Sequence, residues 1–362
     1  MKLSDNGGRL DLPSKNGWFD VMGMLHVSRA YNLVRFDEES GMVVKSGSNP
    51  KLRDEADFYT LVHSEDVPSG IRVMFPRLFW TQGGGSGDLE MRLEYYGYPN
   101  LGELLVGGYL DRGRWDKAVL GIYDALSLWR EYGNRGGRPS DALDMYAGKT
   151  DREVQAYFDH LRRENSALGE FLYHGAPDVP GFVFVNGEKF RVYAELMPEL
   201  REYLDRHLLQ GGWCFMHGDC CLSNILYDGT SHVLKFVDPR GRFGRTAGLF
   251  GDQRYDVAKL YHSFFGWYDF LCRDRFQVSD LGGGRFSYAV DFGNAAESAK
   301  VAREVFVQTF FRDRGDIPER DVRVVAATIF LGMSNRHYDN PDRQLVTHLI
   351  GIEMLNHALF GE

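Results

Sequence analysis

The spacing of apolar residues divides the chain into a β-rich first part and a helical second part. β-Branched and aromatic residues form strand-like runs within 16–45 and again within 71–96, which predicts antiparallel strands. Between these runs, residues 51–62 have the periodicity of a helix. Its apolar residues can share one face: Leu52, Phe58, Tyr59 and Val62. From Leu101 onward helical spacing prevails, so we expect a mainly helical remainder.

The helical part carries amphipathic runs separated by short segments rich in helix breakers. The predicted helices cover residues 115–132, 141–172 with an interruption near 148–150, 197–209, a run from 251, 294–312, 318–333 and 342–359. A hairpin at 181–195 turns at Asn186-Gly187. These elements predict an α+β protein, and 362 residues are enough for two lobes.

One stretch, residues 213–241, combines short apolar runs with polar residues at their ends. An HGD motif is followed by Asn224 at the fifth position after its Asp219. Two short strands around an Asp-Gly turn then lead to Asp238, the first residue of a DPRG motif. The hairpin therefore brings one amide and two carboxylates close together at one edge.

This set of groups suits phosphoryl transfer from a nucleotide. Asp219 can accept or orient the proton of an attacking hydroxyl, and the oxygens of Asn224 and Asp238 can bind Mg²⁺ against the phosphates. The alternative is that all three are ordinary turn residues, which Asp and Asn often are. The order and spacing of the complete set favour the catalytic interpretation.

The two motifs resemble those of a known group of enzymes. HGDCCLSN at 217–224 and VDPRG at 237–241 are similar to the catalytic and metal motifs of aminoglycoside phosphotransferases and choline kinases. The resemblance implies a bilobal protein-kinase-like fold, with a small antiparallel N-lobe at 1–96 and a larger helical C-lobe at 97–362. It also implies an ATP-dependent phosphotransferase with an alcohol group as acceptor and with ATP and Mg²⁺ as cofactors. Gly218 stands where protein kinases usually carry Arg, which favours a small-molecule kinase.

The same resemblance assigns roles in the N-lobe. Lys45 ends an apolar strand, where a kinase places the lysine that contacts the α- and β-phosphates, and Glu55 in the next helix could pair with it. The alternative is a surface lysine and an exposed helix acid. The bend at 27–30 would cover the nucleotide; it has no glycine, but Ser28 could bind phosphate oxygens.

Three further assignments follow from position in the fold that the resemblance implies. Backbone groups from Glu94 to Tyr96 would hydrogen-bond the adenine at the hinge between the lobes. Arg240, just past the metal motif, would stabilise the transferring phosphate or contact the substrate, with a surface arginine as the alternative. Asp256 would support the catalytic loop and is not predicted to be catalytic.

Composition excludes some other classes of protein. The net charge is −9, so no basic character points to nucleic acid. The four cysteines lack CxxC spacing, the N-terminus lacks a signal peptide, and the apolar run at 324–333 is too short to span a membrane. We expect a cytoplasmic protein with a small-molecule acceptor and no membrane or nucleic-acid partner.

The acceptor is less well determined than the chemistry. The pattern VDPRGRFG with GDQRYDVAKLYHSFFGWYDF resembles phosphotransferases associated with bacterial surface-polysaccharide synthesis, which implies a sugar or polyol precursor. Choline, ethanolamine and aminoglycosides are competing acceptors. A hypothesis of another class is an inactive kinase fold that binds nucleotide as a regulatory module. Its mark would be loss of a key residue, yet all are present: Asp219, Asn224, Asp238 and Lys45.

Two groups of residues invite functional interpretations that we do not favour. An aromatic cluster could cage a quaternary ammonium, but such clusters more often form core: Phe264, Phe265, Trp267, Tyr268 and Phe270. His262 and His337 lie in patterned helices, where packing or hydrogen bonding is the expected role.

Overall fold

The structure is a computed structural model that describes residues 33–83, 88–133, 135, 136 and 138–361. The predicted nucleotide-covering bend at 27–30, with Ser28, lies outside the described residues. Within them, an antiparallel sheet with one long helix precedes a mainly helical part, so the predicted α+β class is confirmed.

The first sheet has four antiparallel strands in the order β1-β2-β4-β3. They are β1 Leu33–Asp37, β2 Met42–Gly47, β3 Leu78–Gly83 and β4 Leu89–Glu94. Helix α1, Pro50–Val62, follows β2 and buries the predicted face against the sheet. It begins where expected because Asn49 accepts a hydrogen bond from the backbone of Lys51 and a proline occupies the first helical position.

The strand predicted from residue 71 is shorter than expected. Ser69–Arg72 forms a short helix, α2, and β3 begins only at Leu78. Ile71 and Phe75 are buried whereas Val73 is exposed. A strand would have placed all three on one face, while a spacing of four suits helical turns. The helical conformation therefore buries this apolar run better than a strand.

The C-terminal part is built mainly from helices. They are α3 Leu101–Gly107, α4 Arg112–Glu131, α5 Pro139–Leu143, α6 Lys149–Glu164, α7 Ser166–His174, α8 Tyr193–Tyr203, α9 Gln253–Phe264, α10 Tyr268–Leu271, α11 Ala296–Val307, α12 Glu319–Leu331 and α13 Pro341–Phe360. Single π-helical turns extend three of them, at Asp144–Gly148, Leu204–Leu208 and Gln308–Arg312. The interruption predicted near 148–150 is such a turn, and the actual break is at Asn165, which caps α7.

Short strands complete this part. They are β5 Arg135–Gly136, β6 Gly175–Ala176, β7 Val179–Pro180, β8 Phe182–Val185, β9 Glu188–Arg191, β10 Gly212–Phe215, β11 Ile225–Tyr227, β12 Leu234–Phe236, β13 Arg242–Phe243, β14 Thr246–Ala247, β15 Phe250–Asp252, β16 Phe276–Asp280 and β17 Arg285–Val290. The sequence did not predict β16 and β17. β17 pairs in parallel with β8, a partner about a hundred residues away, which local periodicity does not reveal.

An aromatic cluster joins the two parts beneath the site. Phe58 of α1 lies 5.3 Å from Phe75 and 5.7 Å from Phe215, measured between ring centroids. Trp129 and Phe236 pack 4.8 Å apart on its far side. Because α1, α4, β10 and β12 all contribute to this buried cluster, the strands that carry the HGD and DPRG motifs are held against the helix that carries Glu55.

His262 and part of the aromatic cluster at 264–270 are packed in the core, as expected. His262 is fully buried, with its ring 4.1 Å from Tyr268 and 4.8 Å from Phe330. Phe264 and Phe270 are core residues, whereas Phe265 and Trp267 line a separate cavity of about 490 Å³.

Candidate active site

Lys45 is the centre of the contact between the sheet and the DPRG motif. Its Nζ donates to Glu55 Oε1 at 2.6 Å and to Asp238 Oδ1 at 2.7 Å. The predicted pair with Glu55 therefore forms, and Asp238 joins it. Burial would lower the pKa of Lys45, but the charges of Asp238 and Glu55 outweigh it and raise that pKa above its usual value. Lys45 is thus a fixed ammonium beside the motif.

Neighbouring acids of α1 have other environments. Asp54 binds the guanidinium of Arg242 through both oxygens, at 2.8 and 3.1 Å, and so ties α1 to the segment after the DPRG motif. Asp57 is exposed. Of the three acids at positions 54, 55 and 57, only Glu55 reaches Lys45.

Backbone conformation fixes the DPRG motif. Asp238 has a φ of 60°, unusual for a residue with a side chain, and its N–H donates to the hydroxyl of Tyr59 at 3.1 Å. Gly241 has a φ of 66°, and a Cβ there would lie 2.0 Å from the carbonyl oxygen of Asp54. Only glycine fits this close approach, which explains why the DPRG motif ends in glycine.

The HGD loop is held by two buried groups. The Asp256 carboxylate accepts from the backbone N–H of His217 at 2.7 Å and of Gly218 at 2.8 Å, which is the supporting role expected of it. His217 Nε2 lies 2.9 Å from the carbonyl oxygen of Val237, and its Nδ1 accepts from the N–H of Asp219 at 3.2 Å. Burial lowers the pKa of His217 to about 4. The neutral ring therefore links the HGD loop to the DPRG strand.

Steric crowding explains why position 218 is a glycine. Its φ is 80°, and a Cβ would lie 2.7 Å from Cβ of Arg240 and 2.8 Å from Cε of Met216. An arginine at this position, as in protein kinases, would meet both side chains. The packing of the HGD motif against the DPRG motif therefore requires glycine where protein kinases usually carry arginine.

Asp219 faces a lysine that sequence reasoning did not assign. Lys259 Nζ lies 2.7 Å from Asp219 Oδ1, and its side chain is only 6% exposed. Burial opposes the charged form, but Asp219 more than compensates, so the pKa of Lys259 is raised. The signal was available: Lys259 stands three residues after Asp256, on the same helix face, in an otherwise apolar run.

Asn224 and Asp238 fit a Mg²⁺ site. Asn224 donates its amide N–H to the carbonyl oxygen of Asp219 at 2.8 Å, which directs its side-chain oxygen away from that contact. The N–H of Val237 donates to the backbone oxygen of Asn224 at 2.9 Å, so the hairpin brings the two candidate ligands close. The Asp238 side chain is 52% exposed, and one of its oxygens is not used by Lys45. Two hard oxygens with phosphates and water suit Mg²⁺.

The predicted hinge follows β4. Glu94 is the last residue of β4, and its backbone N–H already donates to the oxygen of Arg77. Its carboxylate accepts from the Tyr96 hydroxyl at 2.6 Å. The backbone N–H of Tyr96 makes no hydrogen bond within the described residues, so it remains available to a ligand, whereas that of Glu94 does not.

Arg240 lies over the HGD loop. Its N–H donates to the carbonyl oxygen of His217 at 2.8 Å, and its guanidinium lies 3.4 Å from the hydroxyl of Tyr255. No carboxylate forms an ion pair with it in the part of the chain that the structure describes. The structure therefore brings together Asp219, Asn224, Asp238 and Arg240 on the helical side, and Lys45 and Glu55 on the sheet side.

Comparison with known proteins establishes the fold. No protein-family model matches the sequence, and no curated protein does either. Solved structures of thermostable mutants of aminoglycoside phosphotransferase APH(4)-Ia do match. The apo form has a TM-score of 0.53 at 10% identity, over 90% of this chain and 89% of that chain. A ternary complex with ADP and hygromycin B has a TM-score of 0.54 at 11% identity, over 89% and 88%.

This chain has the fold of the aminoglycoside phosphotransferases. A further complex of APH(4)-Ia, with AMP-PNP and hygromycin B, has a TM-score of 0.51 at 11% identity, over 89% of this chain and 88% of that chain. The predicted resemblance and the bilobal kinase-like fold class are thereby confirmed. Across the described ranges, no helix is long and apolar enough to cross a membrane.

Proposed function

We propose that the protein transfers the γ-phosphate of ATP to a hydroxyl of a small molecule. The observation that carries the proposal is that Lys45, Asp219 and Asp238 converge, with Asn224 beside them. The space that these side chains face, between the sheet and the helical part, is called the cleft below. The fold supports the proposal, because the three structures compared above are of an aminoglycoside phosphotransferase, one with ADP and one with AMP-PNP bound.

Each residue has a distinct role in this proposal. Asp219 orients the acceptor hydroxyl and takes its proton, while Lys259 keeps Asp219 ionised and in place. Lys45, fixed by Glu55, binds the α- and β-phosphates. Asn224 and Asp238 hold Mg²⁺, which neutralises charge on the phosphates when it is bound.

The remaining assignments complete the nucleotide site. The backbone of Tyr96 hydrogen-bonds the adenine, and Glu94 contributes through its carbonyl group and by orienting the Tyr96 side chain. Ser28 would bind phosphate oxygens from the covering bend. We place the boundary between the lobes at 96, just past β4, and the protein in the cytoplasm, where ATP is available.

The acceptor that we favour is a sugar or polyol precursor of a surface polysaccharide. Choline, ethanolamine and aminoglycosides are the alternatives; hygromycin B is the small molecule in the APH(4)-Ia complexes. An inactive nucleotide-binding module is less well supported, because the residues whose loss would mark it are all present: Lys45, Asp219, Asn224 and Asp238.

The test is to incubate the protein with Mg-ATP and a panel of sugars, polyols, amino alcohols and aminoglycosides. We expect ADP release coupled to one class of acceptor and a phosphorylated product of the corresponding mass. Magnesium-dependent nucleotide binding without product for any acceptor would favour the binding module. Failure to bind Mg-ATP at all would contradict both functions.

A further inference from the structure

Several cations lie close together beside Asp219. Lys149, the first residue of α6, interacts electrostatically with three other cations: Arg240, Arg336 and Lys259. Two carboxylates, Asp219 and Glu153, form ion pairs within this group. Each is already engaged, Asp219 with Lys259 and Glu153 with Arg336. Two cations, Lys149 and Arg240, are therefore left without a carboxylate partner among the described residues.

The position of Glu153 explains why Lys149 has no partner. Glu153 lies four residues after Lys149 on α6, the spacing at which helical ion pairs form. Its carboxylate instead accepts from Asn335 Nδ2 at 3.0 Å through Oε2 and binds the guanidinium of Arg336 through Oε1. Both oxygens are turned to the loop after α12. Within the described chain, Lys149 consequently makes no hydrogen bond and no ion pair.

Lys149 lies beside the end of α12. Its Nζ is 3.4 Å from the point that a Cβ on Gly332 would occupy, at the end of α12. The adjacent Thr150 donates its hydroxyl to the oxygen of Thr328 at 3.3 Å, which holds α6 against α12. α12 packs in turn on α9, the helix that carries Lys259.

The charge on Lys149 depends on what occupies the cleft. Burial lowers its pKa well below the usual value, and the charge of Arg240 lowers it further while Glu153 opposes. Burial and the charge of Arg240 therefore both disfavour the charged amine as long as it has no partner. An arriving anion reverses this balance, because it supplies the partner that the protein lacks.

Arg240 also has hydrogen-bond donors that could bind an anion next to Lys149. Its backbone is fixed on His217, and its stem covers Gly218, so its guanidinium projects beside the HGD loop. One contact, to the Tyr255 hydroxyl at 3.4 Å, leaves most of its five N–H groups unused within the described residues. A guanidinium fork and an ammonium together match phosphate or carboxylate oxygens.

We propose that the acceptor carries an anionic oxygen group, phosphate or carboxylate, which Lys149 and Arg240 bind while Asp219 orients the hydroxyl. This inference rests on the proposed function and narrows it to anionic sugars or polyols. A cationic acceptor such as choline or an aminoglycoside would meet like charge there.

The first experiment measures anion binding without turnover. Protein saturated with Mg²⁺ and AMP-PNP, so that the nucleotide site is filled, is titrated with inorganic phosphate, glucose phosphate and glucuronate by calorimetry. We expect binding of at least one probe, about tenfold to a hundredfold weaker in Lys149→Met. Lys149→Arg should retain most of the affinity, and Lys300→Met, a change at an exposed lysine of α11, should match the wild type. Thermal unfolding verifies that each variant folds.

The second experiment compares turnover of glucose, glucose phosphate and glucuronate as phosphate acceptors. In Lys149→Met, the ratio of kcat/KM for the charged to the neutral acceptor should fall about tenfold to a hundredfold. The two charged acceptors distinguish a phosphate from a carboxylate as the bound group.

The outcomes separate the two proposals. Anion binding that depends on Lys149, but no phosphorylated product from any acceptor, would support the anion site and count against the proposed function. Turnover of the neutral sugar while no anionic probe binds, or while Lys149→Met binds them as well as the wild type, would overturn the anion site and leave the proposed function standing. No binding in the presence of AMP-PNP would also overturn it.

Discussion

The two sides of the cleft bury lysines in opposite ways. On the sheet side, Lys45 contacts two carboxylates, Glu55 and Asp238. On the helical side, Lys259 contacts one, Asp219, and Lys149 contacts none within the described residues. Lys45 is therefore fully paired within the protein, whereas Lys149 on the helical side has no partner among the described residues.

The difference indicates how each ligand is bound. In the proposed function, Lys45 would exchange part of its contact with Asp238 for phosphate oxygens, so its charge would stay paired. Lys149 has no internal partner within the described residues, and in the proposed acceptor site the acceptor would supply one. The proposals therefore base nucleotide binding on preformed ion pairs and acceptor binding on a lysine that the protein leaves unpaired.

The largest effect should come from Asp219, where the two sides meet. Asp219→Asn keeps the shape of the side chain but removes the base, so we expect turnover to fall about a hundredfold to ten-thousandfold. ADP release with the best acceptor measures it. Asp228→Asn, at the exposed turn of the same hairpin, is the matched control and should retain wild-type turnover. A rate in Asp219→Asn within a factor of about three of the wild type would exclude Asp219 as the base.

The next largest loss of activity should come from Lys259, which lies on the helical side. Lys259→Met removes the cation that favours ionised Asp219, so kcat should fall about tenfold to a hundredfold, with little change in KM for ATP. The acid limb of the pH–rate profile should also move to higher pH, because the carboxylate then holds its proton more readily. Lys300→Met should change neither. An unchanged pH profile would show that Lys259 only supports the helix.

On the sheet side, a change at Glu55 should alter KM for ATP and leave the pH profile unchanged, the reverse of the pattern expected for Lys259. Glu55→Gln weakens the anchor of Lys45, so KM for ATP should rise about tenfold while the pH profile stays in place. The control is Asp57→Asn, two residues along the same helix, with an exposed side chain. If both variants raised KM equally, the effect would belong to the charge of the helix and not to the pair with Lys45.

The smallest effect concerns His217, which joins the two sides. Its pKa is about 4 in the folded protein and near 6.5 when unfolded, so the unfolded state binds more protons between these values. The free energy of unfolding should therefore fall as the pH drops from 6.5 to 4, by roughly 3 kcal/mol for this group. Denaturant unfolding of His217→Gln should show a shallower loss than the wild type; equal slopes would contradict the assignment.

Local sequence was enough to predict the parts of the site that lie close together in the chain. Asp219, Asn224 and Asp238 are joined by one short hairpin, and Lys45 and Glu55 by one strand end and one helix start. Short connections leave few alternative arrangements, so residue type and spacing carry the prediction. The hairpin formed by β8 and β9 was predictable for the same reason.

Contacts that depend on the tertiary arrangement of helices were not predictable. Lys259 meets Asp219 across forty residues, and Lys149 reaches this cleft only because α6 packs on α12. Both lysines occur in helices whose periodicity looks structural. The apolar run around Lys259 signals that this lysine is buried, but it does not identify Asp219 as the partner. The pairing of β17 with β8 escaped prediction for the same physical reason.

The central claim is that the sheet side binds the nucleotide and the helical side binds the acceptor. Its most direct test is the affinity for Mg-ATP of the wild type, Lys45→Ala and Asp219→Asn, measured by calorimetry in the absence of acceptor. We predict about tenfold to a hundredfold weaker binding for Lys45→Ala and wild-type affinity for Asp219→Asn, because of these two residues only Lys45 is proposed to contact the nucleotide phosphates. Equal losses in both variants, or no loss in Lys45→Ala, would contradict the account.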